Sequence, residues 1–218
     1  MNFNSDFSQR VVIEADTLTW SPVPSSGIEQ KILEQDGAET ARTTSIVRYA
    51  AGTSFANQGH DLGVEIFVLE GIFSDKSGDY GSGSYIKNAS GSMHASRSAE
   101  GCTLFVKRGH LSVRDRQSVV VDTLITNWHL GLVPGLAVMP LSNFETQNTA
   151  LVRWSPETYF SAHRHYGGEE ILVISGIFED EHGRYPQGTW IRSPHLSLHQ
   201  PYSKEGCTIL VKTGHLPF

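Results

Sequence analysis

The sequence predicts an all-β protein built as two tandem jelly-roll barrels. Three observations carry this expectation. The chain repeats itself at a fixed offset, short β-rich runs are separated by turn residues, and no long helical pattern appears anywhere. The repeat is the strongest of the three. Residues 44–111 align with residues 149–216 without a gap, Arg48 with Arg153 and His110 with His215, and the two copies share the strings GIF, EGC and GHL. A weaker match extends upstream, Trp20 with Trp128, Gly27 with Gly135 and Leu33 with Leu141, so the loop after Leu33 is longer than its counterpart. Two long copies imply two similar domains rather than a solenoid of many short units. The charged, polar stretch at Ser112–Gln117 places the expected boundary, with domains 1–112 and 113–218.

Each copy then divides into elements. Ile28–Glu34 has the look of one or two helical turns, but its counterpart carries Pro140 opposite Ile32. A proline inside a helix costs about 3 kcal/mol, so a strand is expected in both copies. Ser45–Tyr49, Glu65–Leu69, Tyr85–Lys87 and Thr103–Lys107 are short runs rich in β-formers, and their partners follow in the second copy. SDKSGD and EDEHGR are turns that place Gly78 and Gly183 between strands. About eight short strands per copy suit a small closed barrel.

Composition narrows the function classes. Of 218 residues, 39% are hydrophobic and only 18% charged, and 17 basic against 23 acidic residues give a net charge of −6. A dedicated nucleic-acid binder usually presents a basic face, so none is expected. No apolar run is long enough for a membrane helix, and the first 20 residues lack a basic start and an apolar centre. The expected location is the cytoplasm. Two cysteines make no disulfide framework. Cys102 and Cys207, both in the repeated EGCT, read as small core residues.

The chemistry concentrates in the second copy. His163 and His165 stand two apart, and on a strand such residues face one side. Glu169 and Glu170 follow, and at most one of two adjacent strand residues can reach the same ion. His199 lies about thirty residues on. Two His, one carboxylate and a third His form a mixed nitrogen and oxygen set for Zn, Mn, Fe or Ni. In the first copy, Gln58, His60, Val64 and His94 fill the slots of His163, His165, Glu169 and His199, while Glu65 matches Glu170. The partners of His163 and Glu169 are lost together, as abandoning a metal site would produce. Glu169 is therefore expected as ligand, with Glu170 and Glu65 as structural carboxylates, and the first copy as a degenerate site. His110 and His215 read as structural, His182 as a solvated turn residue and His195 as a candidate neighbour of the ligands. Arg48 and Arg153 read as structural charges paired with Glu65 and Glu170. Phe160, Tyr166, Trp154 and Trp190 are candidates for a pocket wall.

These residues resemble the two cupin motifs. The second copy reads His163-x-His165-x3-Glu169-x6-Gly176 and then Gly188-x5-Pro194-x-Leu196-x2-His199-x3-Ser203. The first copy keeps Gly52, His60, Gly71, Gly83, Gly91 and His94 at matching spacings. Glu157 and Leu196 depart from the motif glycines and Ser203 from its asparagine. The chain thus resembles a bicupin, with a double-stranded β-helix in each half. The second copy is also similar to the cupin domain of ChrR-type anti-sigma factors, in which the corresponding three His and one Glu bind zinc. That resemblance implies a regulatory or sensory metal-binding protein of the stress-response type, with one divalent ion per chain, zinc first. ChrR also grips its sigma factor with a helical domain carrying His-x3-Cys-x2-Cys, and no Cys precedes Cys102 here, so sigma-factor binding in that mode is not expected. Related cupins include metal-dependent dioxygenases, the alternative class, with iron, manganese or nickel as the ion. A small chelating organic ligand and a second copy of the chain are the expected partners. Catalytic residues are not assigned.

Overall fold

The computed structural model describes residues 2–24, 26–37, 42–60 and 62–217, the side chains of residues 56–60, 93 and 94 excepted. The side chains of Gln58, His60 and His94 therefore lie outside the described residues. The regular structure of the chain is β-strand, joined by turns and short loops. Among the described residues the one helical element is the short 3-10 turn Ala15–Thr17. Strands stand where the sequence places them, usually longer: Arg42–Tyr49, Val64–Asp75, Ser84–Asn88 and Cys102–Arg108 in the first copy. Ile28–Asp36 and Leu136–Phe144 are both strands, and each carries a register shift, at Ile32/Glu34 and at Pro140/Ser142. A bulge is where a strand tolerates a proline that cannot donate to its neighbour.

Two compact units form, each around its own ten-stranded antiparallel sheet. In one unit the order is Val119–Asp122, Ser84–Asn88, Val64–Asp75, Cys102–Arg108, Arg42–Tyr49, Ile28–Asp36, Ser21–Val23. In the other it is Val11–Glu14, Thr189–Ser193, Glu169–Asp180, Cys207–Thr213, Gln147–Trp154, Leu136–Phe144, His129–Leu130. Inward-facing residues alternate along these strands and fill each barrel. Val47, Ile66, Val68, Leu104 and Val106 pack in the first, and Ile171, Val173, Ile191 and Ile209 with Trp154 and Phe178 in the second.

The two units interleave along the chain. Met1–Ser5 packs with Leu18–Thr126, and Asp6–Thr17 packs with Asn127–Phe218. The strand Val11–Glu14 pairs with Thr189–Ser193, whereas Val119–Asp122, its counterpart in the repeat, pairs with Ser84–Asn88. Each copy therefore lends its first strand to the barrel of the other. Arg192, fully buried, anchors the lent segment: it donates to the carbonyl of Asp6 at 2.7 Å and lies over the Phe7 ring.

The long strands Val64–Asp75 and Glu169–Asp180 each serve two ladders. The first part of Glu169–Asp180 pairs with Thr189–Ser193, and the last part with Gly183–Pro186. The strand turns at Gly176, whose φ is 73°, and a Cβ there would run into the backbone of Gly206 and Cys207. Gly71, in the matching slot, has φ 74° and the same obstruction from Gly101 and Cys102. Only glycine meets both demands.

The arginines are partnered differently from the expectation. Arg48 pairs with Glu29 at 2.6 Å and lies over the Trp20 ring, and Arg153 lies over Trp128. Both sit on outward strand positions, where an indole face is the nearest partner. Glu65 instead hydrogen-bonds His110 at 2.5 Å and also accepts from the Tyr85 hydroxyl, and Glu170 meets His215 at 3.0 Å. The histidines that close each repeat are thus structural, as expected, and satisfy the buried carboxylates. Cys102 and Cys207 are free, buried thiols. Burial pushes Cys207 up to about 11, so it carries no thiolate at neutral pH. No helix among the described residues is long and apolar enough to cross a membrane.

The exchange of first strands has a direct consequence. Deleting residues 1–17 should accelerate amide exchange across Thr189–Ser193, which loses its edge partner, and leave Ser84–Asn88 as protected as before. Hydrogen-exchange mass spectrometry on the truncated chain reads both segments.

Candidate metal centre

The cluster in the second barrel assembles from three strand ends. His163–His165 and Ser197–His199 form a small antiparallel ladder in which His163 stands opposite His199 and His165 opposite Ser197. Along His163–His165 the middle residue, Arg164, is exposed, while the two histidines turn inward. Arg164 ties the ladder to the next loop by donating to the carbonyl of Leu196 at 2.8 Å. The third strand end is Glu169, where the Glu169–Asp180 strand begins. Adjacent strand positions send Glu169 and Glu170 to opposite faces: Glu169 to the imidazoles and Glu170 to His215.

The ligand-type nitrogens of His163, His165 and His199 all lie within 4.8 Å of one another. His165 Nε2 and His199 Nε2 are 2.9 Å apart. Glu169 Oε1 is 3.4 Å from His165 Nε2, and Oε2 is 3.5 Å from His199 Nε2. His163 Nδ1 donates to the Ser161 carbonyl at 2.9 Å, which leaves Nε2 as its lone-pair atom. Burial lowers the pKa of His163, and burial with the neighbouring His199 and His163 charges pulls His165 down to about 3. Both rings are neutral near pH 7, the form that binds metal. Burial raises Glu169 to about 7, against the opposing pull of His199. Its Oε2 is shut off from solvent and has no hydrogen-bond partner. A buried carboxylate oxygen that accepts no hydrogen bond, beside three imidazole nitrogens, is a donor set that fits a divalent cation.

His199 has a second carboxylate, which the sequence reading missed. Its Nδ1 lies 3.8 Å from Asp180 Oδ2, too long for a hydrogen bond but close for charge. Burial alone would raise Asp180. The pull of His199, the Tyr185 hydroxyl at 2.7 Å, the His182 amide at 2.8 Å and the Arg10 guanidinium at 3.0 Å outweigh it and hold the carboxyl down to about 2. Burial depresses the His199 ring, but Asp180 and Glu169 more than offset that and raise it. Asp180 thus favours the proton on Nδ1 and turns Nε2 toward the cluster, the usual arrangement behind a ligating histidine. A signal existed in the repeat: Asp75-x4-Tyr80 and Asp180-x4-Tyr185 recur, and each tyrosine donates to its aspartate. Arg10 had no such signal, because it arrives on the lent N-terminal segment.

Other candidates sort plainly. His195 accepts from the Gly167 amide at 2.9 Å and braces a loop, and His182 is exposed. Of the aromatics, Phe160 meets the His163 ring edge-on at 5.0 Å. Tyr166 is exposed, Trp154 belongs to the barrel core, and Trp190 is fully buried opposite Leu172 and Ile13, on the face away from the core residue Ile191. In the first barrel Val64 is buried, and Gln58 stands opposite His94 in the backbone ladder. Glu157 and Leu196 hold φ of 56° and 62°, close to Gly52 at 76° and Gly91 at 77° in the matching slots. The motif turns survive without their glycines, at a local backbone cost of about 1–2 kcal/mol each.

The sequence profile of the ChrR Cupin-like domain family matches residues 8–112 and again residues 116–217. No curated protein sequence matches the chain. Several solved structures share its fold. A candidate dioxygenase from Nostoc punctiforme superposes with a TM-score of 0.79 at 13% identity, covering 94% of this chain and 82% of that one. Salicylate 1,2-dioxygenase from Pseudoaminobacter salicylatoxidans gives 0.68 at 11%, covering 95% and 81%. Oxalate decarboxylase from Lactobacillus farciminis gives 0.65 at 11%, covering 95% and 86%. At such identities the likeness is one of fold.

Two substitutions separate the adjacent glutamates. Glu170→Gln should lower stability by about 1–3 kcal/mol, since it weakens a buried bond to His215, and leave metal uptake intact. Glu169→Gln should weaken metal uptake at little cost to the apoprotein, whose cluster it relieves of a buried acid. Thermal melts with and without added metal measure both, and the reverse pattern would exchange the two roles. Leu196→Gly should raise stability by about 0.5–1 kcal/mol in the same melts, because glycine removes the left-handed strain.

Proposed function

The chain belongs to the ChrR cupin-like domain family, with one copy in each repeat, and from that premise we propose a metal-binding bicupin with a regulatory or sensory role. Its second barrel holds one divalent ion through His163, His165, His199 and Glu169. The observation that carries this reading is the meeting of three imidazole nitrogens beside a buried Glu169 oxygen that accepts no hydrogen bond. Zinc is the first choice of ion, with Fe(II), Mn(II) and Ni(II) next. Such an ion, when bound, supplies a Lewis-acid centre. The residues around it select what joins it. Glu169 offsets one of two positive charges, so an anionic chelating organic molecule is favoured. Phe160 offers an apolar edge beside His163. Asp180, held by Arg10 and Tyr185, keeps His199 in place.

A second reading is a metal-dependent dioxygenase acting on a small organic molecule. The half-exposed ring of His163 favours it, since a purely structural ion would be closed off. Elemental analysis of untagged protein should find about one ion per chain after dialysis. His163→Ala should abolish most of it and His60→Ala should change it little, whereas two ions per chain would overturn the assignment. Apoprotein loaded separately with Zn(II), Fe(II) and Ni(II) is then titrated with small chelating acids and phenols. Binding without turnover supports the sensor, and oxygen uptake with Fe(II) supports the enzyme. A metal that binds no such compound sinks both and leaves the ion as a staple of the fold.

A further inference from the structure

The first barrel differs from the second by more than the loss of ligands. In the second, the cross-strand neighbours of Glu169 are Ser193 and Thr213. In the first, the same rung reads Asn88, Val64, Arg108: Val64 pairs with Asn88 on one side and with Arg108 on the other. Cross-strand partners share a face, so Arg108 lies on the side of the strand from which Glu169 reaches the metal cluster. An acid has been exchanged for an apolar residue, and a fixed cation has appeared beside it.

Arg108 lines a cavity inside this barrel. The cavity has a volume of about 30 Å³, and Tyr49, Asn88 and Ser96 face it as well. One water needs about 10–15 Å³ on this measure, so the space suits two or three waters or a small organic group of that size. The Tyr49 hydroxyl and the Ser96 hydroxyl are 3.1 Å apart at its polar side. Among the described residues the rest of the wall is apolar, with Val64, Phe73 and Leu104 among it. Arg108 is half-buried, yet its Nε is shut off from solvent and has no hydrogen-bond partner. No carboxylate among the described residues pairs with it. A guanidinium keeps its charge at any ordinary pH, and one held in an apolar wall without a counter-charge is costly unless an anion joins it.

We propose that the first barrel is a second, metal-independent ligand site that binds a small carboxylate anion, its charge met by Arg108 and its oxygens within reach of Tyr49, Asn88 and Ser96. The planar fork of a guanidinium matches a carboxylate, and the apolar wall accepts a short aliphatic body. The small volume disfavours larger acids. The site is independent of the ion proposed for the second barrel, and it is tested with that barrel disabled.

The probe is acetate, titrated calorimetrically into full-length, metal-stripped protein carrying His163→Ala. One acetate per chain should bind in the millimolar range, and Arg108→Met should weaken it by at least about tenfold, the loss expected for one charge-assisted hydrogen bond. Arg108→Lys should recover part of the affinity. Equal binding by Arg108→Met, no saturable binding in the parent, or tighter binding of phosphate than of acetate would overturn the proposal. A measurement without substitution at Arg108 guards against misfolding. Modification of Arg108 by butane-2,3-dione, mapped by mass spectrometry, should slow several-fold with acetate present, and an unchanged rate would likewise overturn the site.

Discussion

The second barrel depends on one bend. A straight strand from Glu169 to Asp180 would hold its ends roughly 36 Å apart, at about 3.3 Å per residue. Yet Glu169 and Asp180 lie 3.5 Å and 3.8 Å from the two nitrogens of the same ring, His199. The strand achieves this by turning at Gly176, where the φ of 73° and the closeness of the Gly206 backbone exclude any side chain. One strand thereby supplies both carboxylates that address His199, one beside its Nε2 and one beside its Nδ1. The geometry of the cluster is a consequence of how a two-ladder strand is folded over itself.

The two barrels share this frame and diverge in charge. Gly71 repeats the bend, and the Glu65–His110 and Glu170–His215 pairs recur at matching depth. These pairs face away from the ring cluster and hold each barrel together. What differs is the inward rung at the start of the long strand: Ser193, Glu169 and Thr213 in one barrel, Asn88, Val64 and Arg108 in the other. Replacing an inward acid by an apolar residue removes the electrostatic welcome for a metal ion, and an inward arginine then opposes one. Strand alternation separates the carboxylates that pair with the closing histidines from the one that faces the imidazole cluster, so the inward rung differs between the barrels while the bracing pairs stay the same.

The lent first strands give the N-terminal segment a share in the distant site. Val11–Glu14 closes the edge of the second sheet, and Arg10, just before it, holds Asp180 at 3.0 Å and Tyr185 at 2.8 Å. Covering a sheet edge with a strand removes unpaired backbone groups. The same docking carries a guanidinium to the carboxylate behind His199, so the orientation of that ring is tied to the packing of residues far away in sequence.

Local period and repetition are legible in the linear chain. Strand alternation placed His163 and His165 on one face and split Glu169 from Glu170, and an offset common to both copies marked the residues that a metal site would lose together. Pro140 opposite Ile32 told strand from helix. Packing across the chain set the remainder. The placing of Arg10 and of the lent strands depends on which edge a four-residue segment finds, and nothing in a short run such as VVIE distinguishes one sheet edge from another. Likewise, a carboxylate such as Glu65 can pair with any cation near it in space. The repeat suggested Arg48 as its partner, but packing turned that side chain outward onto Trp20 and brought His110 to the acid, because a buried group is satisfied by whatever the closed barrel places beside it.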